Sequence, residues 1–219
     1  MRYLTLLDGD ASTVNLTAPL RFTHFAKVES HGGMDIDMRA EVGHLTRRVV
    51  VRGDDDSEHT KWGAHIMLHS PGDELTIGRF SHMECFMCGQ AFNLGRYPIH
   101  LHMMGNVRKS YIKGCAVHRT FNRAVTIHGV SHFRVLNNVA YDNMGHAFFF
   151  EDAAETHNRV EGNLAMVWER ATTVLKPPHK IKNTPMNDLW CFGVSQLLTR
   201  YLYSVIQLQI CIARLHLDM

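Results

Sequence analysis

The chain has 219 residues, the length of a single domain, and 45% of them are hydrophobic, which is enough to bury a sizeable core. Its formal net charge is only +2 with the histidines neutral, so the composition excludes a bulk basic nucleic-acid binder. Sixteen histidines are the compositional outlier, and they make the charge sensitive to pH.

Residues 1–63 are predicted to be a β-rich lead-in. Short β-type runs such as residues 14–16, 20–28 and 48–51 are separated by Gly, Asp and Pro turns. The first ten residues lack the apolar core of a signal peptide.

Residues 64–170 contain a repeat. The stretches 112–118, 135–141 and 160–166 begin 23 and then 25 residues apart, and their first, fifth and sixth positions are apolar. The third position is Gly114, Asn137 or Gly162, the residue types that adopt positive φ at least cost. A short strand, a left-handed kink and another strand at this period predict the coils of a parallel β-helix. An αβ fold with short buried strands is the alternative.

A second register supports the coils. Residues 99–102, 125–128 and 148–151 align with one another at the same period. Because alternate side chains of a strand share a face, Ile99, Val125 and Phe148 are predicted to stack inward. The outward row is then His102, His128 and Glu151, with coils about 4.8 Å apart.

Residues 171–219 are predicted to be a divergent tail, irregular or helical. Three prolines in residues 175–185 interrupt regular structure, and nothing after them fits the repeat. The apolar segment from Leu189 is interrupted by Arg200 and glutamines, so we expect no transmembrane helix.

Four sequence blocks, residues 38–48, 89–102, 116–129 and 143–152, resemble a known family. They are similar to the region shared by the cell-migration-inducing hyaluronan-binding protein, the cell-surface hyaluronidase and fibrocystin-L. The resemblance covers roughly residues 14–168. It implies an all-β, right-handed parallel β-helix of the pectate-lyase-like kind, at the cell surface or outside the cell. It also implies an acidic polysaccharide such as hyaluronan as partner.

Two departures qualify that resemblance. The glycine-rich domain that usually precedes this region is missing from the start of the chain, and the tail no longer follows the family. We therefore expect a fragment or a truncated product. A short β-helix leaves both ends of its core open, which predicts self-association.

A metal site is the first chemistry that the repeat predicts. His100 and His102 share one face of a strand, and His128 is at the height of His102 on the next coil. Neighbouring imidazoles can bind one divalent metal, of open identity, with Glu151 as an oxygen ligand. The alternative is a packed histidine ladder that only holds the coils in register.

Cleavage of a polysaccharide is the second chemistry, with His128, Glu151 and Asp152 as candidate catalytic residues. Hydrolysis needs two carboxylates across the glycosidic bond. Glu151 and Asp152 are consecutive and face opposite ways, so Glu151 would pair with Glu155 or Asp142. A lyase would use His128 as base and Arg123 or Arg96 to neutralise a uronate.

Glycan binding without chemistry is the third reading. Arg134 and Arg159 occupy equivalent outward positions on successive coils, where like charges disfavour each other unless an acidic partner or a neighbouring carboxylate such as Glu161 or Asp142 compensates them. Arg96 and Arg123 are further candidates, and Tyr141 is a candidate platform for a sugar ring. Two functions follow as hypotheses: a glycan-interacting module with a histidine site, or a non-catalytic structural or adhesion module of the fibrocystin-L type.

Overall fold

The computed structural model describes residues 6–9, 14–70, 73, 75–169 and 192–193. They form two compact units that divide between Val42 and Gly43. The first unit holds two antiparallel strand pairs. β1 (Leu6–Gly9) pairs with β2 (Val14–Leu16), and β3 (Val28–His31) pairs with β4 (Met34–Asp37).

The second unit is a right-handed parallel β-helix of three sheets, as predicted. The covered sheet consists of β5 (Val49–Arg52), β8 (Met83–Phe86), β11 (Ala116–Thr120), β14 (Val139–Met144) and β17 (Leu164–Glu169). The histidine sheet consists of β6 (Ile66–His69), β9 (Ile99–Asn106), β12 (Val125–Ser131), β15 (Phe148–Phe150) and β18 (Phe192–Gly193). The arginine sheet consists of β7 (Arg79–Ser81), β10 (Tyr111–Lys113), β13 (Arg134–Leu136) and β16 (Arg159–Glu161). One short helix, α1 (Ser57–Thr60), lies between β5 and β6.

Both predicted strand registers are confirmed. Val125 pairs with Ile99 on one side and with Phe148 on the other. Val135 pairs in the same way with Ile112 and Val160. Since residues at one register position repeat along the axis, their side chains stack into rows, and the inward rows form one buried core.

The predicted kink residues Gly114, Asn137 and Gly162 all have positive φ. A Cβ at Gly162 would lie 2.1 Å from Oδ1 of Asn137 on the neighbouring coil, so the row is too crowded for a side chain there. The row also includes His82 one coil upstream, whose ring approaches Gly114 and whose φ is +51°.

Buried asparagines form a second row, one residue after the kink positions. Asn138 accepts a hydrogen bond from the backbone N–H of Cys115 at 2.9 Å, and Asn163 accepts one from Asn138 N–H at 2.9 Å. Each amide group therefore bonds the main chain of the coil before it, which fixes the axial spacing of the coils.

The parallel pairing starts upstream of residue 64, because β5 pairs with β8 from Val49 to Arg52. Of the predicted tail, residues 171–191 and 194–219 lie outside the described residues. No helix in the described part of the chain is long and apolar enough to cross a membrane.

Candidate functional site

The outer face of the histidine sheet carries two rows of side chains. His69, His102 and His128 are in register along one row, and Met67, His100 and Thr126 along the other. Glu151 follows β15 directly, and its backbone N–H donates to the carbonyl of Ile127 at 3.1 Å. This bond extends the register by one residue and brings the Glu151 side chain beside His128.

His100, His102 and His128 converge as predicted. One nitrogen of each ring lies within 4.8 Å of the other two, and Nδ1 of His102 is 3.0 Å from Nδ1 of His128. Among the residues that the structure describes, this is the one group of three or more His, Cys, Asp or Glu side chains close enough to hold a metal ion.

Hydrogen bonds behind the rings direct nitrogen lone pairs into the cluster. Nδ1 of His100 donates to the carbonyl of Gly95 at 2.9 Å, which leaves Nε2 as the unprotonated nitrogen. That Nε2 is buried and has no hydrogen-bond partner. Nε2 of His128 is 3.0 Å from Oδ2 of Asp152, so in the neutral tautomer that keeps this contact the proton is on Nε2 and Nδ1 faces His102 with a lone pair. Metal-binding histidines are oriented in this way by carbonyl and carboxylate partners.

One carboxylate oxygen of Glu151 is held by a hydrogen bond and an ion pair, and the other faces the histidines. Oε1 accepts a hydrogen bond from the Tyr97 hydroxyl at 3.0 Å and lies 3.5 Å from Nη1 of Arg123. Oε2 is buried without a hydrogen-bond partner, 3.4 Å from Nδ1 of His128 and 3.9 Å from Nε2 of His100. The carboxylate therefore presents a free oxygen to the same point as the three rings.

Burial sets the protonation of the cluster. It lowers the pKa of His100 to about 4 and also lowers the pKa of His102, whose neighbour His128 adds to the shift. Burial raises the pKa of Tyr97 to about 12, so its hydroxyl stays a donor to Glu151. Near neutral pH, His100 and His102 are therefore uncharged, the form that binds a metal.

The predicted glycan-binding residues do not share one face. Arg96 is exposed in the loop that leads into β9. Arg134 and Arg159 are on the arginine sheet. Tyr141 is on the covered sheet and is buried. Arg123 is also buried, with its guanidinium 3.8 Å from the centre of the Phe149 ring, so a glycan would have to displace Glu151 to reach it.

Glu155, one of the two carboxylates expected to pair with Glu151, bonds the backbone instead. It is buried, and its Oε1 accepts the backbone N–H groups of Gly129 at 3.0 Å and of Asp152 at 3.1 Å. It thereby fixes the turn that carries Asp152 next to His128.

Sequence reasoning named Tyr97 only as a candidate platform for a sugar ring and missed its hydrogen bond to Glu151, and it missed Gly95 altogether. Tyr97 stands three residues before His100, so a hydroxyl donor near a candidate ligand could have been predicted from the sequence. Gly95 acts through its carbonyl, which no residue pattern marks.

Comparisons with known proteins agree with the β-helix fold. The model of the CEMIP β-helix family matches residues 61–191. Mouse fibrocystin-L is 36% identical over 210 residues, covering 80% of this chain and 5% of that protein. The human cell surface hyaluronidase CEMIP2 is 31% identical over 171 residues, covering 70% of this chain and 12% of that protein. Protein rliB of Dictyostelium discoideum is 33% identical over 162 residues, covering 74% of this chain and 13% of that protein. The chain thus spans a small part of the length of these relatives.

Proposed function

The chain belongs to the CEMIP β-helix family, and from that premise we propose that it is a cell-surface or extracellular glycan-facing module with a divalent transition-metal centre. The ligands are Nε2 of His100, Nδ1 of His102 and Nδ1 of His128. The observation that carries the proposal is the buried, unpartnered pair of atoms, Nε2 of His100 and Oε2 of Glu151, aimed at one point. Unpaired buried polar atoms are costly; a bound cation would satisfy Nε2 of His100, and a water on that cation would donate to Oε2 of Glu151.

Without metal, the close pair of Nδ1 atoms needs a proton between them. Nε2–H of His128 donates a hydrogen bond to Asp152. The proton between the two Nδ1 atoms is therefore on His102, which donates to His128. A cation replaces that proton and binds all three lone pairs. Imidazole ligands favour zinc, copper, iron or nickel over calcium or magnesium.

Water activation is the chemistry that such a centre supplies. Three histidines leave one position open, and a water bound there has its pKa lowered towards neutrality. Oε2 of Glu151 is the group placed to accept the proton, while Asp152 keeps His128 in the binding tautomer. Water activated in this way would attack the anomeric carbon of an acidic polysaccharide such as hyaluronan as the bond from that carbon to the glycosidic oxygen breaks; Glu151 would take the proton of the attacking water, and the departing oxygen would take its proton from solvent.

Metal content tests this proposal directly. We expect purified native protein, incubated with zinc, copper or nickel salts and desalted, to retain stoichiometric metal by inductively coupled plasma mass spectrometry. The His102→Ala, His128→Ala double variant should lose it. His69→Ala is the matched control, because His69 is exposed in the same row but is outside the converging trio.

Catalysis is tested separately with Glu151→Gln. This variant should keep the metal and lose cleavage of hyaluronan, measured by the release of reducing ends. Native protein that binds no metal while folded would overturn the metal centre. Metal-loaded native protein that leaves hyaluronan and other uronate polysaccharides intact would overturn the hydrolytic role.

A non-catalytic structural or adhesion module is the second candidate, favoured by the 36% identity to mouse fibrocystin-L and by the packing of the histidine rings. Ring centroids are 5.3 Å apart for His69 and His102 and 4.7 Å apart for His102 and His128. In this case the rings only hold the coils together, and His102→Ala would lower the melting temperature without changing metal content.

A further inference from the structure

The outer face of the arginine sheet is rich in cations. Its first outward row consists of Arg79, Tyr111, Arg134 and Arg159, and its second of Ser81, Lys113, Leu136 and Glu161. The row between them, which includes Ile112 and Val135, faces the core. Four cations and one carboxylate therefore lie on this face of a chain whose net charge is only +2.

The guanidinium groups are held in place. Nε of Arg79 donates to the carbonyl of Lys109 at 3.1 Å. The guanidinium carbon of Arg134 lies 5.4 Å from the centre of the Tyr111 ring, and its Nε is buried without a hydrogen-bond partner. Arg159 is ion-paired with Glu161. In the described part of the chain, no carboxylate lies within ion-pair distance of Arg79, Lys113 or Arg134.

The spacing of these charges follows from the coils. Strands of neighbouring coils are about 4.8 Å apart, so Arg79 and Arg134, two coils apart, are separated by about 9.6 Å along the axis. Lys113 is on the coil between them, beside Tyr111. Cations stacked at this spacing repel one another unless an anion lies along the row.

We propose that this face binds a linear polysaccharide with regularly spaced carboxylates, lying along the axis of the β-helix. Arg79 and Arg134 contact anionic groups one disaccharide apart, Lys113 contacts the chain from the side, and the Tyr111 ring packs on a sugar. The inference rests on the proposed glycan-facing role, but it uses a different sheet and no metal. The regular spacing of single cations, rather than a dense basic cluster, favours a polysaccharide over a nucleic acid.

Binding to metal-free protein tests this surface. The probe is a set of hyaluronan oligosaccharides of increasing length, measured by calorimetry in chelator at low and physiological salt. An Arg79→Ser, Arg134→Ser double variant should bind about 30-fold more weakly, since each cation near an anionic surface contributes about a factor of five. Lys113→Ser should lose about fivefold. The Lys113→Ser variant also keeps the test valid if the double variant fails to fold, because it leaves the contact between Arg134 and the Tyr111 ring intact.

The matched control is Arg21→Ser, Lys27→Ser, which removes the same charge from exposed positions in the first unit. It should change affinity less than twofold, and affinity of the native protein should fall as salt rises. The proposal is overturned if the double variant and this control bind alike, if native protein does not bind, or if it binds single-stranded DNA of equal charge as tightly. Because the assay uses metal-free protein, its failure is distinct from failure of the metal centre.

Discussion

Acidification should destabilise the metal-free protein through His100. Its ring is 2% exposed, and burial lowers its pKa from 6.5 to about 4. A histidine that is neutral in the folded state binds its proton more readily when the chain unfolds. Stability from this residue is therefore fully present above pH 6.5 and is lost as pH falls towards 4.

The magnitude follows from the size of the shift. One pKa unit corresponds to about 1.4 kcal/mol, so His100 alone should lower the free energy of unfolding by about 2 kcal/mol between pH 7 and pH 5. Burial also lowers the pKa of His118 and His102, which adds to the loss in the same direction.

Urea unfolding in chelator at pH 7 and pH 5 measures this dependence. His100→Asn isolates the contribution, because its side-chain amide can still donate to the carbonyl of Gly95 while it cannot titrate. We expect the variant to lose about 2 kcal/mol less than native protein over that interval. Equal pH dependence in native protein and His100→Asn would refute the argument.

Four further predictions test the fold and the site. Tyr97→Phe removes a donor to Glu151 and an acceptor of Nη1 of Arg123, so it should lower metal affinity about 10- to 100-fold and the free energy of unfolding by about 1 to 3 kcal/mol; an unchanged metal affinity would contradict it. Phe92→Gly should raise the free energy of unfolding by about 1 kcal/mol, because Phe92 is exposed and has a φ of +60°; a lower value would show that its ring stabilises the fold. Gly63→Ala should cost about 3 kcal/mol in urea unfolding, because its Cβ would lie 1.8 Å from the carbonyl oxygen of Met87; a neutral result would contradict this. Sedimentation velocity should show association through the exposed edge strand β5, reduced by Val50→Lys; a monomer at all concentrations would contradict this.

The sequence predicted those parts of the fold that repeat. Ile112, Val135 and Val160 occupy one register because each coil must bury an apolar residue at the same place, so the period is visible in the sequence. The histidine convergence was predictable for the same reason, since His102 and His128 share a register position. Their tautomers were not, because they depend on the carbonyl of Gly95 and on the turn that places Asp152.

The side-chain direction of Arg123 could not be predicted from strand register alone. Its position before β12 suggested a cation available to a uronate, but a residue in a turn has no alternation to fix its direction. The structure buries it against the Phe149 ring on the outer face of the histidine sheet, where Nη1 donates to the Tyr97 hydroxyl at 2.9 Å. Its charge then supports Glu151, which explains how a carboxylate can be held against a neutral histidine cluster.

The outer face of the covered sheet is shielded by the segment that precedes β5. Residues 43–48 cross its outer side, where the backbone N–H of Arg47 donates to Oε2 of Glu84 at 2.9 Å. Oε1 of Glu84 is 3.0 Å from Nε2 of His118, and both side chains are buried. A Cβ at Gly43 would lie 2.7 Å from the Met166 side chain, so this crossing is close as well as polar.

That crossing makes the Glu84–His118 pair a sensitive point for stability rather than for binding. Glu84→Gln keeps an acceptor for the backbone N–H of Arg47 and for the His118 ring but removes the carboxylate charge, whereas Glu84→Ala leaves both the backbone N–H and Nε2 of the ring without a partner. We expect a small loss for the first change and about 3 kcal/mol for the second, measured by urea unfolding at pH 7. Neither should alter metal content or glycan affinity, because the histidine and arginine sheets are built from other strands of each coil. A change in metal content in Glu84→Gln would show instead that the three faces are coupled through the core.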